Sequence, residues 1–237
     1  MAVKPINKQT LKNHWHYSKW KYILLCLLGI FGVNILFTMT KYRVPEDKKI
    51  EIYMCSGYAD AVAMQEALWP MLLEIAPEQE ELTVANIDLT GSDPYTRMQY
   101  TTYTAAQQGD ILFLPYEEAV ILANNEADYA MVELTPYIEN GMLNVDGFNI
   151  EDGYLPDHLG EKRLYLIPAA TLYGLLDYSC DPWGAVLCVT SYSGNEETAI
   201  KTLNMLLETM RTEKPEGYDR MRENKDAEQQ NSTQLYL

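Results

Sequence analysis

The chain has 237 residues, with 34 acidic and 18 basic side chains and a formal net charge of −16. Residues 50–237 alone carry 32 acidic and 9 basic side chains, a net charge of −23. A body this negative repels phosphate polymers and anionic lipids, which excludes nucleic acid as a partner class. The roughly 160 residues from 49 to 210 are enough to bury one hydrophobic core, and we expect one domain there.

The first predicted element is a transmembrane helix over residues 23–39, the longest uncharged apolar run in the chain. At about 1.5 Å per residue this helix rises about 26 Å, close to the hydrocarbon thickness of about 30 Å. Trp20, Tyr22 and Tyr42 flank the run and are typical interface anchors. The pattern predicts a single span in a cell membrane.

Charge sets the expected orientation of this span. Residues 1–22 contain five lysines and no acid, which favours a cytoplasmic N-terminus and an extracytoplasmic body. Lys41, Arg43, Lys48 and Lys49 lie just beyond the span, in or next to the predicted linker, residues 40–48, and weaken that bias, but Glu46 and Asp47 lie among them. A cleaved signal peptide is the alternative, but the run ends in Phe37, Thr38 and Met39 and offers no small-residue cleavage site.

The first half of the body alternates predicted strands and helices. Apolar patterning and turn residues predict strands over Lys49–Cys55, Leu82–Leu89 and Asp110–Pro115, and helices over Ala59–Ile75, Tyr95–Gln108 and Glu117–Asn125. Pro70 should bend or restart the first of these helices, and Ser92 or Asp93 should cap the second. This order predicts an α/β fold with an open, mainly parallel sheet and flanking helices.

The carboxyl ends of such strands meet at one edge of the sheet, where ligands of open α/β sheets bind. Residues expected along that edge are Ser56, Gly57 and Tyr58 after the first strand, Gly91 and Ser92 after the second, and Tyr116 and Glu117 after the third.

The second half of the body is less regular. Residues 131–160 are predicted to be mostly loop, with one short helix at Leu134–Ile138. Strand character resumes at Arg163–Pro168 and Gly184–Thr190. A last helix is predicted from Glu196 to Arg211 after an Asn195 cap, which closes a domain spanning 49–211. Residues 212–237 are charged and poor in large apolar side chains, which is typical of a disordered tail.

The sequence contains no recognisable catalytic constellation. His158 is the body's single histidine, and the pair Glu117-Glu118 would project about 100° apart on a helix. These carboxylates are better interpreted as matching the dipole at a helix N-terminus. No metal-ligand spacing links the cysteines, although Cys180 and Cys188 could form a bridge or remain thiols. We therefore expect no enzyme, no metal and no cofactor.

Tyrosine is abundant, with 18 residues against four phenylalanines. The aromatic ring and the hydroxyl of a tyrosine suit a solvent-exposed binding surface, although scattered tyrosines also serve as half-buried packing residues. Trp183 is interpreted either as a turn residue packed on the core or as an exposed stacking platform. The predicted ligand-contact residues are Tyr58, Ser92, Tyr116, Glu117 and Trp183.

Several segments of the body resemble one protein family. The segments are Gln107–Leu114, Met131–Ile138, Leu166–Pro168, Ala185–Ser191 and Asn195–Leu207. Together they resemble the first lobe of extracellular solute-binding proteins of ABC transporters, especially the sugar-binding type. The basic lead Trp15–Lys21 before a span is similar to that of single-span membrane proteins of Gram-positive anaerobes that carry such a lobe.

The resemblance implies a single periplasmic-binding-protein-like lobe. The family inserts a second lobe between strands that are separated here by only about twenty residues, so this chain has no room for it. The implied function is a membrane-anchored extracytoplasmic binding or interaction module, with a small solute such as a sugar, or a permease or envelope protein, as partner. Two alternatives remain: a transporter's delivery component that works with a partner chain, and a structural envelope protein without a ligand.

Overall fold

The computed structural model describes residues 8–91, 93–123, 130–192 and 194–223. A boundary between Arg43 and Val44 divides the chain into two compact units.

The first unit contains one long helix, α1, over Lys8–Thr40. Its window His14–Thr40 is long and apolar enough to cross a membrane and includes the predicted span, 23–39. None of that window is buried inside the protein, which distinguishes α1 from the core helix of a soluble domain. By length and composition α1 fits either a membrane span or a signal sequence.

The second unit contains every strand that the structure describes. The strands are β1 (Lys49–Met54), β2 (Glu81–Asn86), β3 (Ile111–Pro115), β4 (Tyr154–Pro156), β5 (Lys162–Leu164), β6 (Ile167–Pro168) and β7 (Ala185–Val189). The α-helices are α2 (Ala61–Ile75), α3 (Pro94–Ala105), α4 (Tyr116–Ala123), α5 (Thr135–Glu139) and α6 (Glu196–Met210). Short 3-10 helices cover Glu46–Lys48, Glu151–Gly153 and Tyr173–Tyr178.

Five of the strands form one sheet in the order β2-β1-β3-β7-β6. β1 pairs in parallel with both β2 and β3, and β7 runs antiparallel between β3 and β6. Four of the five strands therefore share one direction, and the predicted open, mainly parallel α/β sheet is confirmed.

The sheet is buried on both faces, as a parallel sheet must be. Alternate residues of β1 enter different clusters: Ile50 and Ile52 join the cluster that contains α2 and α6, whereas Tyr53 joins the cluster that contains α3 and α4. Every residue of β7 and the first four residues of β3 are buried. This two-sided burial explains why both strands have continuous apolar sequences.

The predicted strand Arg163–Pro168 is wrong as one element. It divides into β5, which pairs with β4, and β6, which pairs with β7 in the main sheet. The backbone amides of Tyr165 and Leu166 both donate to the carbonyl oxygen of Gly153, at 3.1 and 3.2 Å, and the chain changes partners there. The region predicted as mostly loop consequently contains one strand, β4, in addition to the short helix α5.

Helix ends follow local chemistry. Asp60 caps α2 by accepting from the amide of Ala63 at 3.1 Å, and Pro70 lies inside an uninterrupted helix. Asp93, one of the two predicted caps, accepts from the amide of Tyr95 at 2.9 Å. Asn195 precedes α6 as predicted, but its side-chain nitrogen donates across to the carbonyls of Glu46 and Lys49 and thereby fixes the start of β1.

Candidate functional site

The carboxyl ends of β1 and β3 lie at one edge of the sheet because these strands are parallel neighbours. Tyr58 follows β1, and Tyr116 and Glu117 begin α4 directly after β3. β7 runs the opposite way, so Trp183, which precedes it, lies at the same edge. The amide of Tyr116 donates to the carbonyl oxygen of Gly184 at 3.0 Å, which joins the two segments directly.

The structure thus brings four of the five predicted contact residues to one edge, called here the aromatic edge: Tyr58, Tyr116, Glu117 and Trp183. Ser92, the fifth, lies outside the described residues. Tyr58, Tyr116 and Trp183 remain 64%, 38% and 55% exposed. These exposures separate them from the tyrosines that pack in the core. That the aromatic edge binds a ligand stays a prediction.

The loop that carries Tyr58 is held by hydrogen bonds to its neighbours. The side-chain nitrogen of Asn86, the last residue of β2, donates to the carbonyls of Met54 at 3.0 Å and Gly57 at 2.9 Å. Gly57 has a φ of +84°, a conformation that glycine adopts without steric cost. An Asn86 side chain that ties two strand ends together gives this edge a defined backbone.

A bidentate ion pair joins the first turns of α3 and α4 beside this edge. The guanidinium of Arg97 contacts the two carboxylate oxygens of Glu118 at 2.7 and 3.3 Å, and the hydrogen bond raises the pKa of Arg97. Glu117 and Glu118 both lie in the first turn of α4, as predicted for carboxylates that match a helix dipole. Glu118 therefore forms an ion pair that connects α4 to α3.

Residues 212–223, called here the strap, pack against the aromatic edge. Tyr218 is only 3% exposed, its hydroxyl donates to Asp181 at 2.7 Å, and its ring lies edge-on to Tyr173 at 5.2 Å. The guanidinium of Arg222 lies 4.0 Å from the centre of the Trp183 ring. One face of Trp183 is therefore covered by the chain's own arginine.

Sequence reasoning missed the strap because Tyr218 is an isolated aromatic residue in a charged segment. That isolation is the single sequence signal that marks it. Residues 218–223 are helical, residues 212–217 contain no helix or strand, and the part of the predicted disordered tail beyond residue 223 lies outside the described residues.

The thiols of Cys55 and Cys180, near the aromatic edge, have low reactivity. Burial raises the pKa of Cys55, and the nearby Cys188, Asp88 and Glu118 raise it further. Burial, followed by Asp181 and Asp88, raises the pKa of Cys180 to about 12. Both thiols are protonated at neutral pH and are poor nucleophiles. Cys180 and Cys188 are free and buried, which resolves the two predicted alternatives in favour of thiols.

Across the described ranges, no group of three or more His, Cys, Asp or Glu side chains is arranged to hold a metal ion. The aromatic edge combines exposed rings, an exposed carboxylate and a hydrogen-bonded backbone.

No protein-family profile matches the chain, and a search of curated proteins finds no match. Among solved structures, the chain is similar to an extracellular solute-binding protein family 1 from Alicyclobacillus acidocaldarius subsp. acidocaldarius DSM 446, with 18% identity and a TM-score of 0.37. That alignment covers 55% of this chain and 29% of the other. The chain is also similar to maltose-bound T. maritima MalE3, with 18% identity, a TM-score of 0.32, and coverage of 56% and 33%. The chain thus spans about a third of the length of each.

Proposed function

We propose that this protein is a membrane-anchored, extracytoplasmic binding or interaction module related to one lobe of a solute-binding protein. The observation that carries the proposal is the aromatic edge, where Tyr58, Tyr116 and Trp183 stay exposed at the carboxyl ends of a mainly parallel sheet. Ligands of open α/β sheets bind at this edge. The relation to a solute-binding lobe rests on the sequence segments from Gln107 to Leu207 described above.

The ligand class follows from the chemistry of the edge. Aromatic faces stack on the apolar faces of sugar rings, and phenolic hydroxyls and the Glu117 carboxylate can bond to sugar hydroxyls. A body with a net charge of −23 disfavours anionic ligands. We therefore propose a neutral solute such as a mono- or oligosaccharide. One lobe covers one side of such a ligand, so affinity should be modest unless a second surface closes over it.

α1 supplies the membrane anchor in this proposal. Its apolar window, His14–Thr40, is preceded by a lysine-rich, acid-free N-terminal segment, which favours a cytoplasmic N-terminus. External protease added to intact protoplasts should digest the body while a tag at the N-terminus stays protected. Release of the body into the medium would instead identify α1 as a signal sequence, and protection of the body would reverse the orientation.

A second candidate is a delivery component of an ABC-type transporter that completes its cleft with a permease or a partner chain. The observation that favours it is the short connection between β6 and β7, residues 169–184, where a second lobe would have to be inserted. Crosslinking from Tyr58 or Trp183 positions in the native membrane would distinguish the candidates, because a delivery component predicts a crosslink to a permease.

A thermal-shift screen of the full chain in detergent tests the solute proposal directly. A ligand present at a hundred times its Kd adds about 2.7 kcal/mol to the free energy of unfolding, a rise in Tm of several degrees. Tyr116→Ala should abolish the shift, whereas Tyr154→Ala, a tyrosine of similar exposure on the separate β4–β5 sheet, should retain it. If no sugar, amino acid or peptide shifts Tm, the solute proposal fails and a structural or protein-binding role gains support.

A further inference from the structure

Asn34 places a polar side chain in the apolar part of α1. It lies about 7–8 Å inside the outer end of the predicted span, residues 23–39, at about 1.5 Å per residue. The hydroxyls of Thr38 and Thr40 donate to the backbone carbonyls of Asn34 and Leu36, at 2.8 and 2.7 Å. The Asn34 carboxamide, in contrast, has no hydrogen-bond partner among the residues that the structure describes. The helix thus satisfies these hydroxyls but not this amide.

A groove of about 670 Å³ runs along the same face of α1. Two neighbouring rows of residues spaced four apart form its walls: Cys26, Ile30 and Asn34 in one row, and Gly29, Val33 and Phe37 in the other. Rows at this spacing are the ridges that pack into the grooves of another helix. Gly29 has no side chain, and a Cβ there would meet nothing within 4 Å, so a second helix can approach the backbone closely. The unsatisfied amide therefore borders a surface that fits a helix.

The chemistry of the amide favours a second copy of this chain as the partner. A bilayer offers an unsatisfied amide no hydrogen bond, and asparagines in membrane-spanning helices therefore bond to neighbouring helices. A carboxamide carries both N–H donors and a carbonyl acceptor, so it is complementary to itself. Copies of one chain share one orientation in the membrane, which brings their Asn34 side chains to the same depth. A span of a different protein would have to provide its own polar group at that depth.

We propose that α1 forms a parallel, symmetric dimer with the α1 of a second copy of this chain, through the groove and a hydrogen bond between the two Asn34 carboxamides. The inference rests on the proposed function, because it requires α1 to be an uncleaved membrane anchor, and it adds the partner of that anchor. A twofold axis between the helices sets a row of each against the groove of the other. Cys26, in the groove, then lies near the Cys26 of the second copy. The dimer holds two bodies on one side of the membrane at a high local concentration.

Cys26 makes the dimer measurable by disulfide crosslinking of the full chain in the membrane of cells that express it. Cys26 is exposed, whereas the other three cysteines, Cys55, Cys180 and Cys188, are buried. Copper phenanthroline, with oxygen as the oxidant, should link two differently tagged copies of the 27.1 kDa chain into one band. The matched control is Cys26→Ser with Leu28→Cys, which moves the thiol by about 200° to the opposite face at a similar depth. This control should crosslink at least fivefold less.

Two pairs of variants test the amide and the groove separately. The association constant of the full chain in lipid vesicles is measured by energy transfer between donor- and acceptor-labelled copies as lipid is added. Asn34→Val should lower this constant about fivefold, whereas Asn34→Gln, which keeps a carboxamide, should change it less than twofold. Gly29→Leu fills the groove and should lower it at least tenfold. Gly32→Leu adds the same side chain outside the groove and should change it less than twofold.

The outcomes separate this inference from the proposed function. Equal crosslinking at positions 26 and 28, or an association constant that Asn34→Val leaves unchanged, would overturn the dimer. A crosslink from Cys26 to a different membrane protein would overturn the choice of a second copy. A full-length chain that stays in the membrane as a monomer would overturn the dimer and leave the anchor intact. Cleavage of α1 and release of the body would overturn the membrane anchor of the proposed function, and the dimer with it.

Discussion

Replacing Tyr218 by alanine should release the strap, residues 212–223, from Trp183 while the body stays folded. Tyr218 is the strap's buried aromatic anchor, at 3% exposure. Two other contacts of the strap are weaker: Lys214 pairs with Asp219 at an exposed position within the strap itself, and Arg222 contributes a cation–π contact with Trp183 worth about 0.5–1 kcal/mol. Tyr218 therefore dominates the stability of the strap.

The size of the effect follows from what the substitution removes. Truncating a buried aromatic side chain to alanine costs about 3–5 kcal/mol. The loss falls on a peripheral segment, and such segments open locally with free energies below that of global unfolding. At about 1.4 kcal/mol per factor of ten, backbone amides of the strap should exchange with solvent at least about a hundredfold faster. Amides of β1 and β3 should keep their protection.

Hydrogen exchange followed by mass spectrometry measures both regions in one experiment. Tyr218→Phe is the matched control because it keeps the ring and loses only the hydroxyl that donates to Asp181 at 2.7 Å. A hydrogen bond to a charged group is worth about 1.5–3 kcal/mol, and partial exposure of Asp181 favours the lower end, about a tenfold change in exchange. Unchanged protection of the strap in Tyr218→Ala, or equal loss in β3, would refute this account.

Two substitutions, each with a matched control, test the interactions that stabilise the fold. Thr190→Val removes a fully buried hydroxyl that donates at 2.6 Å to a loop carbonyl, so we expect a loss of about 1–3 kcal/mol and a fall in Tm of several degrees. Thr202→Val should be near neutral, because that hydroxyl bonds to a carbonyl within its own helix; equal losses would contradict the argument. Gly153→Ala would place Cβ against the carbonyl oxygen of Leu166 and should cost about 3 kcal/mol or more. Gly91→Ala, whose Cβ would meet a carboxylate oxygen of Asp88 at an ordinary contact distance of 3.8 Å, should cost less than about 1 kcal/mol. Similar melting curves for the two alanine variants would show that the backbone at Gly153 can move.

The regular part of the fold was predictable because its signals are local. β3 is a continuous apolar run between Gly109 and Pro115, and burial on both faces of the sheet requires that composition. The division of Arg163–Pro168 into two strands was not predictable in the same way. It depends on the Gly153 carbonyl, which lies more than ten residues earlier in the chain and accepts both amides at the bend. An apolar pattern carries no information about such a distant acceptor.

The candidate site likewise has one part that was predictable from the sequence and one part that was not. Placement of Tyr58 and Tyr116 at one edge follows from the parallel order of β1 and β3, which the alternation of strands and helices already predicted. The contact between Trp183 and Arg222 joins residues 39 positions apart through tertiary packing. Composition assigned residue 222 to a disordered tail, because a charged segment contributes little apolar surface and its one anchor, Tyr218, has no periodic partner.

Arg222 occupies one face of Trp183 and would therefore compete with a solute for that face. A ligand that stacks on the covered face of Trp183 must displace the guanidinium, which costs about 0.5–1 kcal/mol at an exposed site, or a two- to fivefold loss of affinity. Arg222→Ala should therefore tighten the binding of such a ligand two- to fivefold. Arg220→Ala, an exposed arginine in the same strap, should leave it unchanged. Both variants are titrated with a ligand from the thermal-shift screen. If Arg222→Ala binds no more tightly than the native chain, the ligand does not use the face of Trp183 that Arg222 covers.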